Sequence, residues 1–403
     1  MEYISFEKIK DAAEKFGTPM YIYDRDIFEE RLSLIKKRLG RATLTFSMKA
    51  NPFLASASAD HVERIEVCSF GEFEIVRSLK IPPEKILISG VLKKKEDLHE
   101  IVDYCRDRAL YTAESPAQIR YLQMEGEEYG LSLSVLLRLS SGNQFGMDRD
   151  TIADVIRERS KYKNLVFEGI HFFSGTQKKN LKKTAREISE LDEFVSELSS
   201  YGYAVSMIEY GTGFDAPVFA DQGEGPTAAD SMEEFQALLD GMKYRGHFTV
   251  EMGRALAFSC GSYITTVMDL KKTGKINYCI TDGGIHQIHY DGQFKGMYLP
   301  IMDVIRSDGA SSADGMEDYT VCGSLCTVND ILAANFKTSP VKPGDILVFR
   351  NVGAYSLNEG MSTFLSHELP AIVIYSKKDG ARLIRPIRES YRLNMADDIN
   401  TSF

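Results

Sequence analysis

A (β/α)8 barrel followed by a separate all-β domain, α/β plus β, is the fold class this sequence predicts. Three observations carry the prediction. Eight short apolar, β-branched runs recur between residues 43 and 252, amphipathic stretches of helical period fill most of the gaps between them, and after residue 257 such runs continue with turn residues in place of helices.

The first run is TLTFSM at 43–48, and RIEVC (64–68), KILIS (85–89), ALYTA (109–113), LSVLLRL (133–139), FEGIHFF (167–173), MIEYG (207–211) and FTVEM (248–252) follow. The stretch AREISELDEFVSELSSYG, 185–202, shows the intervening pattern: apolar residues three and four apart, closed by a Gly that suits the last turn. A doubly wound open sheet fits the alternation too, but with fewer strands, and no GxGxxG follows the first strand. The later runs are YITTVMDLKK, INYCITDGG, DYTVCG, DILVFRNVG and AIVIYSKKDGARLIRP. We therefore expect a barrel over 25–256 and a β domain from 1–24 with 257–403. The small, polar segments 221–233 and 307–318 read as surface loops.

Composition narrows the function. Of 403 residues, 58 are acidic and 48 basic, and the net charge of −10 has the wrong sign for a nucleic-acid backbone binder. The opening MEYISFEKIKDAAEKFG lacks the apolar core of a signal peptide, and no run approaches 18 apolar residues, so neither membrane nor secretion is expected. Six Cys without CxxC pairs suit a reducing compartment, and the expected location is the cytoplasm.

In such a barrel, chemistry gathers at the C-terminal ends of the strands. Those ends are polar here: Lys49; Glu66 and Ser69; His171, Ser174 and Thr176; Gly211 and Gly213; Glu251 and Arg254. Lys49 is either a solvated, ion-paired lysine or an amine whose lowered pKa lets it form a Schiff base. The glycines of GTG, 211–213, with Arg254, suit either a βα turn or a phosphate cradle. Glu251 and Arg254 can be a local ion pair; if a pyridine cofactor is present, the carboxylate can keep its ring nitrogen protonated. In the β domain, Cys326, Asp330 and Tyr355 follow strands, while Cys322 reads as a small core hydrophobe. His286 and His289 have helical spacing that suits a metal, but no third ligand accompanies them, and no metal is expected.

Taken in order, FSMK, GIHFFSGTQ, IEYGTGF, EMGR, CGSLCTVND and GAYS resemble the ornithine, diaminopimelate and arginine decarboxylase family of pyridoxal-phosphate enzymes over nearly the whole chain. The resemblance implies an alanine-racemase-like (β/α)8 TIM barrel with a C-terminal all-β domain. It implies pyridoxal 5'-phosphate carried by Lys49, contacted by Glu66 and Phe173, with Glu251 on the pyridine nitrogen and Thr176, Gly213, Arg254 and Tyr355 on the phosphate; of the two hydroxyls Ser174 and Thr176, it favours Thr176. It also implies a homodimer with shared sites, in which Cys326, delivered from the second subunit, returns a proton after carbon dioxide leaves.

Four departures stand out. Phe173 replaces a ring-stacking His, and a phenyl ring stacks but carries no ring nitrogen. Thr212 replaces the middle Gly of a triple-Gly loop, and Met252 replaces a Pro. Thr327 follows Cys326 where enzymes of diamino acids place an acid, and a hydroxyl cannot compensate a desolvated ammonium as a carboxylate does. The expected substrate therefore lacks that ammonium, with Asp282 and Asp330 left as alternative amine partners.

The motifs NQFGMD, GTQ, LCT and FLSHELPAIVI resemble most the branch that decarboxylates glutamate tethered to an acyl-carrier protein in butirosin-type antibiotic biosynthesis. That resemblance implies a carrier-protein partner, which Lys93, Lys94, Lys95 and the KKNLKK run at 178–183 can meet electrostatically, unless these are simply solvated faces. Free diaminopimelate or a basic amino acid (lysine, ornithine) is the alternative substrate, and a catalytically silent homologue that binds a partner protein is the alternative function.

Overall fold

The computed structural model describes residues 3–222, 228–290, 295–309 and 315–396. The chain divides into two compact units: Glu29–Ala216 with Pro226–Leu256, and Met1–Phe28 with Pro217–Gly225 and Ala257–Phe403. Residues 217–222 join the second unit through local contacts: Asn351 Nδ2 donates to Pro217 O at 2.8 Å, and the Phe219 ring packs on Tyr290 and Tyr298.

Strand β1, Met20–Asp24, belongs to the second unit. All eight expected barrel strands form in the first: β2 Thr43–Ser47, β3 Arg64–Val67, β4 Ile86–Ile88, β5 Leu110–Ala113, β6 Leu133–Leu139, β7 Leu165–Phe173, β8 Met207–Gly211 and β9 His247–Met252. They close as a parallel barrel, β9 pairing back onto β2 with Thr45 opposite Glu251. Barrel interiors are ordinarily filled by branched apolar side chains. Here Leu87, Leu110 and Leu136, with Met207 against them, supply one such cluster. Elsewhere alternate positions are polar and buried: Thr45 and Ser47 on β2, Glu66 on β3, Thr112 on β5, His171 on β7, Glu209 on β8, Thr249 and Glu251 on β9. The period of two sends these residues to the face opposite the apolar ones between them.

The second unit holds a nine-stranded mixed sheet built from β1 with β10 Gly261–Thr273, β11 Ile276–Thr281, β12 Met302–Ile305, β13 Glu317–Cys322, β14 Ile331–Thr338, β15 Ile346–Arg350, β16 Ala371–Ser376 and β17 Gly380–Arg385. The connected order is β14-β13-β11-β10-β1-β16-β17, and β12 joins through β15. β1 pairs antiparallel with β10 and parallel with β16. Its core gathers Ile9 and Ala12 of the helix Phe6–Phe16 with Met20, Ile22, Ile264, Val348 and Val373.

Three features depart from expectation. Residues 228–241 form a helix where part of a loop was expected over 221–233, because Met232, Phe235 and Leu239 fall on one face and are buried. Within the two expected loops, residues 223–227 and 310–314 lie outside the described residues; β13 begins at Glu317, inside the span 307–318. β12 and β14 were not foreseen: β12 has four residues, and β14 carries Ala333, Ala334 and Asn335, poor strand formers, with Asn335 at φ 56° beside a break in register.

Candidate active site

Lys49 lies in a single 3₁₀ turn, Met48–Ala50, immediately after β2, which lifts its side chain over the barrel mouth. Its ammonium donates to Glu66 at the end of β3, lies 3.5 Å from Cys68 Sγ, and stands 3.6 Å from Glu251 Oε1 on β9. Glu251 is 6% exposed; it accepts from Ser47 Oγ at 2.9 Å on one oxygen and contacts His171 Nε2 at 3.0 Å on the other. Burial alone pushes the Glu251 carboxyl up, but the Lys49 ammonium and the His171 and Ser47 contacts outweigh it and hold the group below the usual carboxylate range. An ionised carboxylate is thus stored beside an amine at the mouth of the barrel.

Cys68 completes this group. Its thiol donates to Glu66 Oε1 at 3.0 Å, and burial, reinforced by the Glu66 charge, keeps it well above its ordinary pKa. On the other side of the mouth Arg138 Nη1 donates to Glu114 Oε1 at 3.0 Å, with the Phe145 ring 4.9 Å from its guanidinium. Lys93 donates to Gly90 O at 2.8 Å, and burial pulls its amine down to about 8. Sequence reasoning missed Ser47, Cys68, Arg138 and Glu114. The available signal was their spacing: TxSxK, RxExC, TxE and RxS place polar residues at every second position of strands whose intervening residues are apolar.

The loops after β7 and β8 meet closely. Lys178 N donates to Gly213 O at 2.9 Å, and a Cβ at Gly213 would lie 1.9 Å from Gly175 O, so this approach needs glycine; Gly213 also has φ 60°. Thr176 is thereby set beside Gly213 and is exposed. Ser174 is otherwise engaged: its hydroxyl donates to Glu187, which also receives Lys178 Nζ at 2.7 Å and Tyr210 OH at 2.5 Å. Arg254, 7% exposed, opens the short helix Arg254–Ala257 after β9. Phe173, at the end of β7, lays its ring against Gly211.

In the second unit, Cys326 is exposed on the turn between β13 and β14, followed by Thr327. Asp330 is 3% exposed and accepts from Ile285 N at 2.8 Å and Leu325 N at 2.7 Å, tying two loops together. Asp282 accepts from Thr18 Oγ1 at 2.5 Å and Thr266 N at 2.9 Å. Both carboxylates hold backbone and threonine donors, and neither makes an ion pair among the described residues. Tyr355 sits at φ 67°, a conformation uncommon for a side-chain-bearing residue, and its carbonyl accepts from Asn358 N and Glu359 N at 2.8 and 3.0 Å. His286 and His289 are not on a helix; His286 is 1% exposed and packs on His367, ring centroids 5.2 Å apart.

A parallel eight-stranded barrel with a polar mouth centred on a lysine and an ionised glutamate, beside a separate β domain, defines the class of fold to which pyridoxal enzymes of this kind belong. Residues 25–258 match the family described as pyridoxal-dependent decarboxylase, pyridoxal binding domain, and the chain belongs to that family. It is a pyridoxal-phosphate-dependent amino-acid decarboxylase. The L-glutamyl-[BtrI acyl-carrier protein] decarboxylase of Niallia circulans is 28% identical across 97% of this chain and 95% of its own, and the diaminopimelate decarboxylase of Aquifex aeolicus is 24% identical across 96% and 93%. Among solved structures, diaminopimelate decarboxylase from M. jannaschii superposes with a TM-score of 0.84 at 22% identity over 96% of this chain and 94% of that one. Lysine/ornithine decarboxylase from Vibrio vulnificus gives 0.80 at 18% identity over 93% and 99%. These likenesses show the fold. No helix among the described residues is long and apolar enough to cross a membrane.

Proposed function

We propose that the chain decarboxylates an amino acid that carries no distal ammonium, with carrier-tethered glutamate as the first candidate. The observation that carries the reading of the site is the Lys49–Glu251 pair, an amine 3.6 Å from a buried carboxylate held ionised. The donor set fits the cofactor: an amine for its aldehyde, a buried carboxylate for its ring nitrogen, and a hydroxyl, glycine N–H groups and a guanidinium for its phosphate. When bound, pyridoxal phosphate supplies an electron sink for the pair of electrons released as the carboxylate carbon departs.

The protein's own residues bind, orient and move protons. Lys49 is the attachment point, and Glu66 holds its amine in place. Glu251 accepts the ring N–H, and His171 and Ser47 fix the orientation of its carboxylate. Phe173 offers an apolar face for stacking. Thr176, Gly213, Arg254 and Tyr355 take the phosphate by hydrogen bonds and charge. Cys326, supplied by the second subunit of a homodimer, gives the proton that replaces the lost carboxyl group.

Thr327 supports the substrate assignment, because it offers a hydroxyl where a diamino acid needs a carboxylate to offset a desolvated ammonium. The relative named as an L-glutamyl-carrier-protein decarboxylase supports the same reading, and secondary-metabolite biosynthesis is the setting we propose for this chain. The expected carrier-docking lysines are reduced in number: Lys93 is half-buried and donates to Gly90 O, and Lys178 is paired with Glu187 with only 4% of its side chain exposed. Lys94, Lys95, Lys179, Lys182 and Lys183 remain exposed. Free diaminopimelate, lysine or ornithine is the alternative, favoured by the diaminopimelate decarboxylases among the relatives.

The test has two stages. The visible spectrum of the loaded protein is recorded before and after borohydride, beside Lys49→Ala; a Schiff-base band that borohydride abolishes and the variant lacks is expected, and no band at all sinks the assignment of Lys49. Carbon dioxide release is then measured from glutamyl-carrier protein, free glutamate, meso-diaminopimelate, lysine, ornithine and arginine. Turnover of a free diamino acid above that of the tethered glutamate overturns the substrate proposal.

A further inference from the structure

Glu209 is the least expected residue in the barrel. It lies at the middle of β8, in register between His171 on β7 and Thr249 on β9, and is 0% exposed. Neither of its carboxyl oxygens makes a hydrogen bond of normal geometry among the described residues. The groups that face it are Glu251 and Thr249 from β9, His171 from β7, Thr45 from β2, and Glu63 and Arg64 from the start of β3.

A buried carboxylate without donors is expensive, and a second one close by is more so. Two carboxyl groups in one low-dielectric interior therefore share a proton, and it settles on the one with fewer stabilising partners. Glu251 has the Ser47 hydroxyl at 2.9 Å, His171 Nε2 at 3.0 Å and the Lys49 ammonium at 3.6 Å. Glu209 has only the Thr45 hydroxyl, in poor hydrogen-bond geometry, and the weaker influence of the Arg64 charge. We infer that Glu209 is a neutral carboxylic acid in the folded protein and a positioning residue for Glu251, holding the single proton of this two-carboxyl pair so that Glu251 keeps its charge at the barrel mouth. The positioning half of the inference rests on the proposed pairing of Glu251 with the cofactor's ring nitrogen. The electrostatics agree: burial first, and then the Glu251 charge, push the Glu209 carboxyl up to about 8.

The arrangement makes the barrel interior a charge-selecting element. An ionised Glu209 would add a second negative charge behind Glu251 and raise the tendency of Glu251 to take up a proton itself. Keeping Glu209 neutral fixes Glu251 as the ionised carboxyl through the neutral pH range.

The test is infrared difference spectroscopy of the full-length protein, with and without pyridoxal phosphate, between pH 6 and 9. The expected result is the carbonyl stretch of a protonated carboxylic acid at pH 6, lost with a midpoint near 8, absent in Glu209→Gln, and shifted down by about one pH unit or more in Glu251→Gln, since one unit corresponds to a tenfold coupling. The visible spectrum of the loaded wild type should change with the same midpoint, and that of Glu209→Gln should not. No protonated carboxyl at pH 6, or one that persists in Glu209→Gln, overturns the inference. If Glu209→Gln does not fold, carbon-13 chemical shifts of labelled glutamate in wild type and Glu251→Gln carry the same information, and an unmoved midpoint in Glu251→Gln overturns the pairing. Full cofactor affinity in Glu251→Gln overturns instead the role proposed for Glu251, and with it the positioning half, while the infrared band separately decides where the proton sits.

Discussion

The Phe173 ring occupies the space in which any side chain at Gly211 would begin: a Cβ on Gly211 would lie 2.5 Å from Phe173 Cδ2 and 3.1 Å from its Cβ. The end of β8 is thus shaped by the end of β7, and glycine at 211 serves close packing here. Gly211→Ala should force the ring aside and cost about 1 to 3 kcal/mol, the usual range for overpacking a filled site. Chemical denaturation of wild type and variant checks this. Because Phe173 is the proposed stacking surface, the variant should also weaken pyridoxal-phosphate binding, read by fluorescence titration, whereas Gly241→Ala, with open space around its Cβ position, should leave cofactor affinity unchanged.

Asp330 is proposed from sequence as an amine partner, and its geometry suggests a second use. Its carboxylate joins Ile285 N and Leu325 N, and the backbones of Gly284 and Gly323 approach so closely that a Cβ on Gly323 would lie 2.3 Å from the Gly284 Cα. Asp330 therefore clasps the turn that carries Cys326 and Thr327. Asp330→Ala would strand two backbone N–H groups and should destabilise by about 2 to 6 kcal/mol, at about 1 to 3 for each buried donor left unpaired. Limited proteolysis should show faster cleavage between 323 and 330 in the variant. Unchanged stability and unchanged cleavage would mean that the clasp does not hold the turn.

These cases show what a sequence does and does not expose. The eight barrel strands were legible because each is a short apolar run bounded by polar residues, and Lys49, Glu251 and Arg254 were legible because they stand at strand ends. The inward polar set was not: Ser47, Cys68 and Glu209 lie inside or just past runs whose apolar character dominates, and only closure of the barrel turns alternate positions toward one another. Lys93 and Lys178 read as surface charge because whether a lysine turns inward to a carbonyl or a carboxylate depends on what packs above it, and nothing local marks it. β14 escaped because its pairing with β13 outweighs the weak strand propensity of Ala333 and Asn335.

His286 gives the second domain a predictable response to acid. The ring is 1% exposed, and burial first, with His367 beside it, lowers its pKa to about 4. In the unfolded chain it titrates near 6.5, so between these values the unfolded state binds more protons and stability must rise with pH. The stabilisation is complete above about pH 6.5 and is lost as pH falls toward 4, by about 3 kcal/mol at most from the 1.36 kcal/mol that each pKa unit represents. His286→Leu should flatten this part of the curve. Urea midpoints at pH 5 and pH 7.5 test it: wild type should be distinctly weaker at pH 5, and the variant should lose most of that difference. Equal pH dependence in both would exclude His286 as the source.

Thr327 carries the sharpest prediction about substrate. It follows the exposed Cys326 on the turn between β13 and β14, and its carbonyl accepts from Asp330 N at 3.2 Å, so its backbone is fixed while its side chain can be exchanged. A hydroxyl cannot offset the cost of stripping water from an ammonium, whereas a carboxylate gains a charge-assisted hydrogen bond with it. Thr327→Asp should therefore move selectivity toward free diamino acids. We expect kcat/KM for meso-diaminopimelate or lysine to rise by about tenfold or more relative to that for glutamyl-carrier protein, since a charge-assisted hydrogen bond contributes about 1.5 to 3 kcal/mol. Thr327→Val, which removes the hydroxyl without adding charge, separates charge from shape and should give no such gain. If Thr327→Asp leaves the ratio where it was, residue 327 does not face the distal end of the substrate, and the exclusion of diamino acids loses its basis.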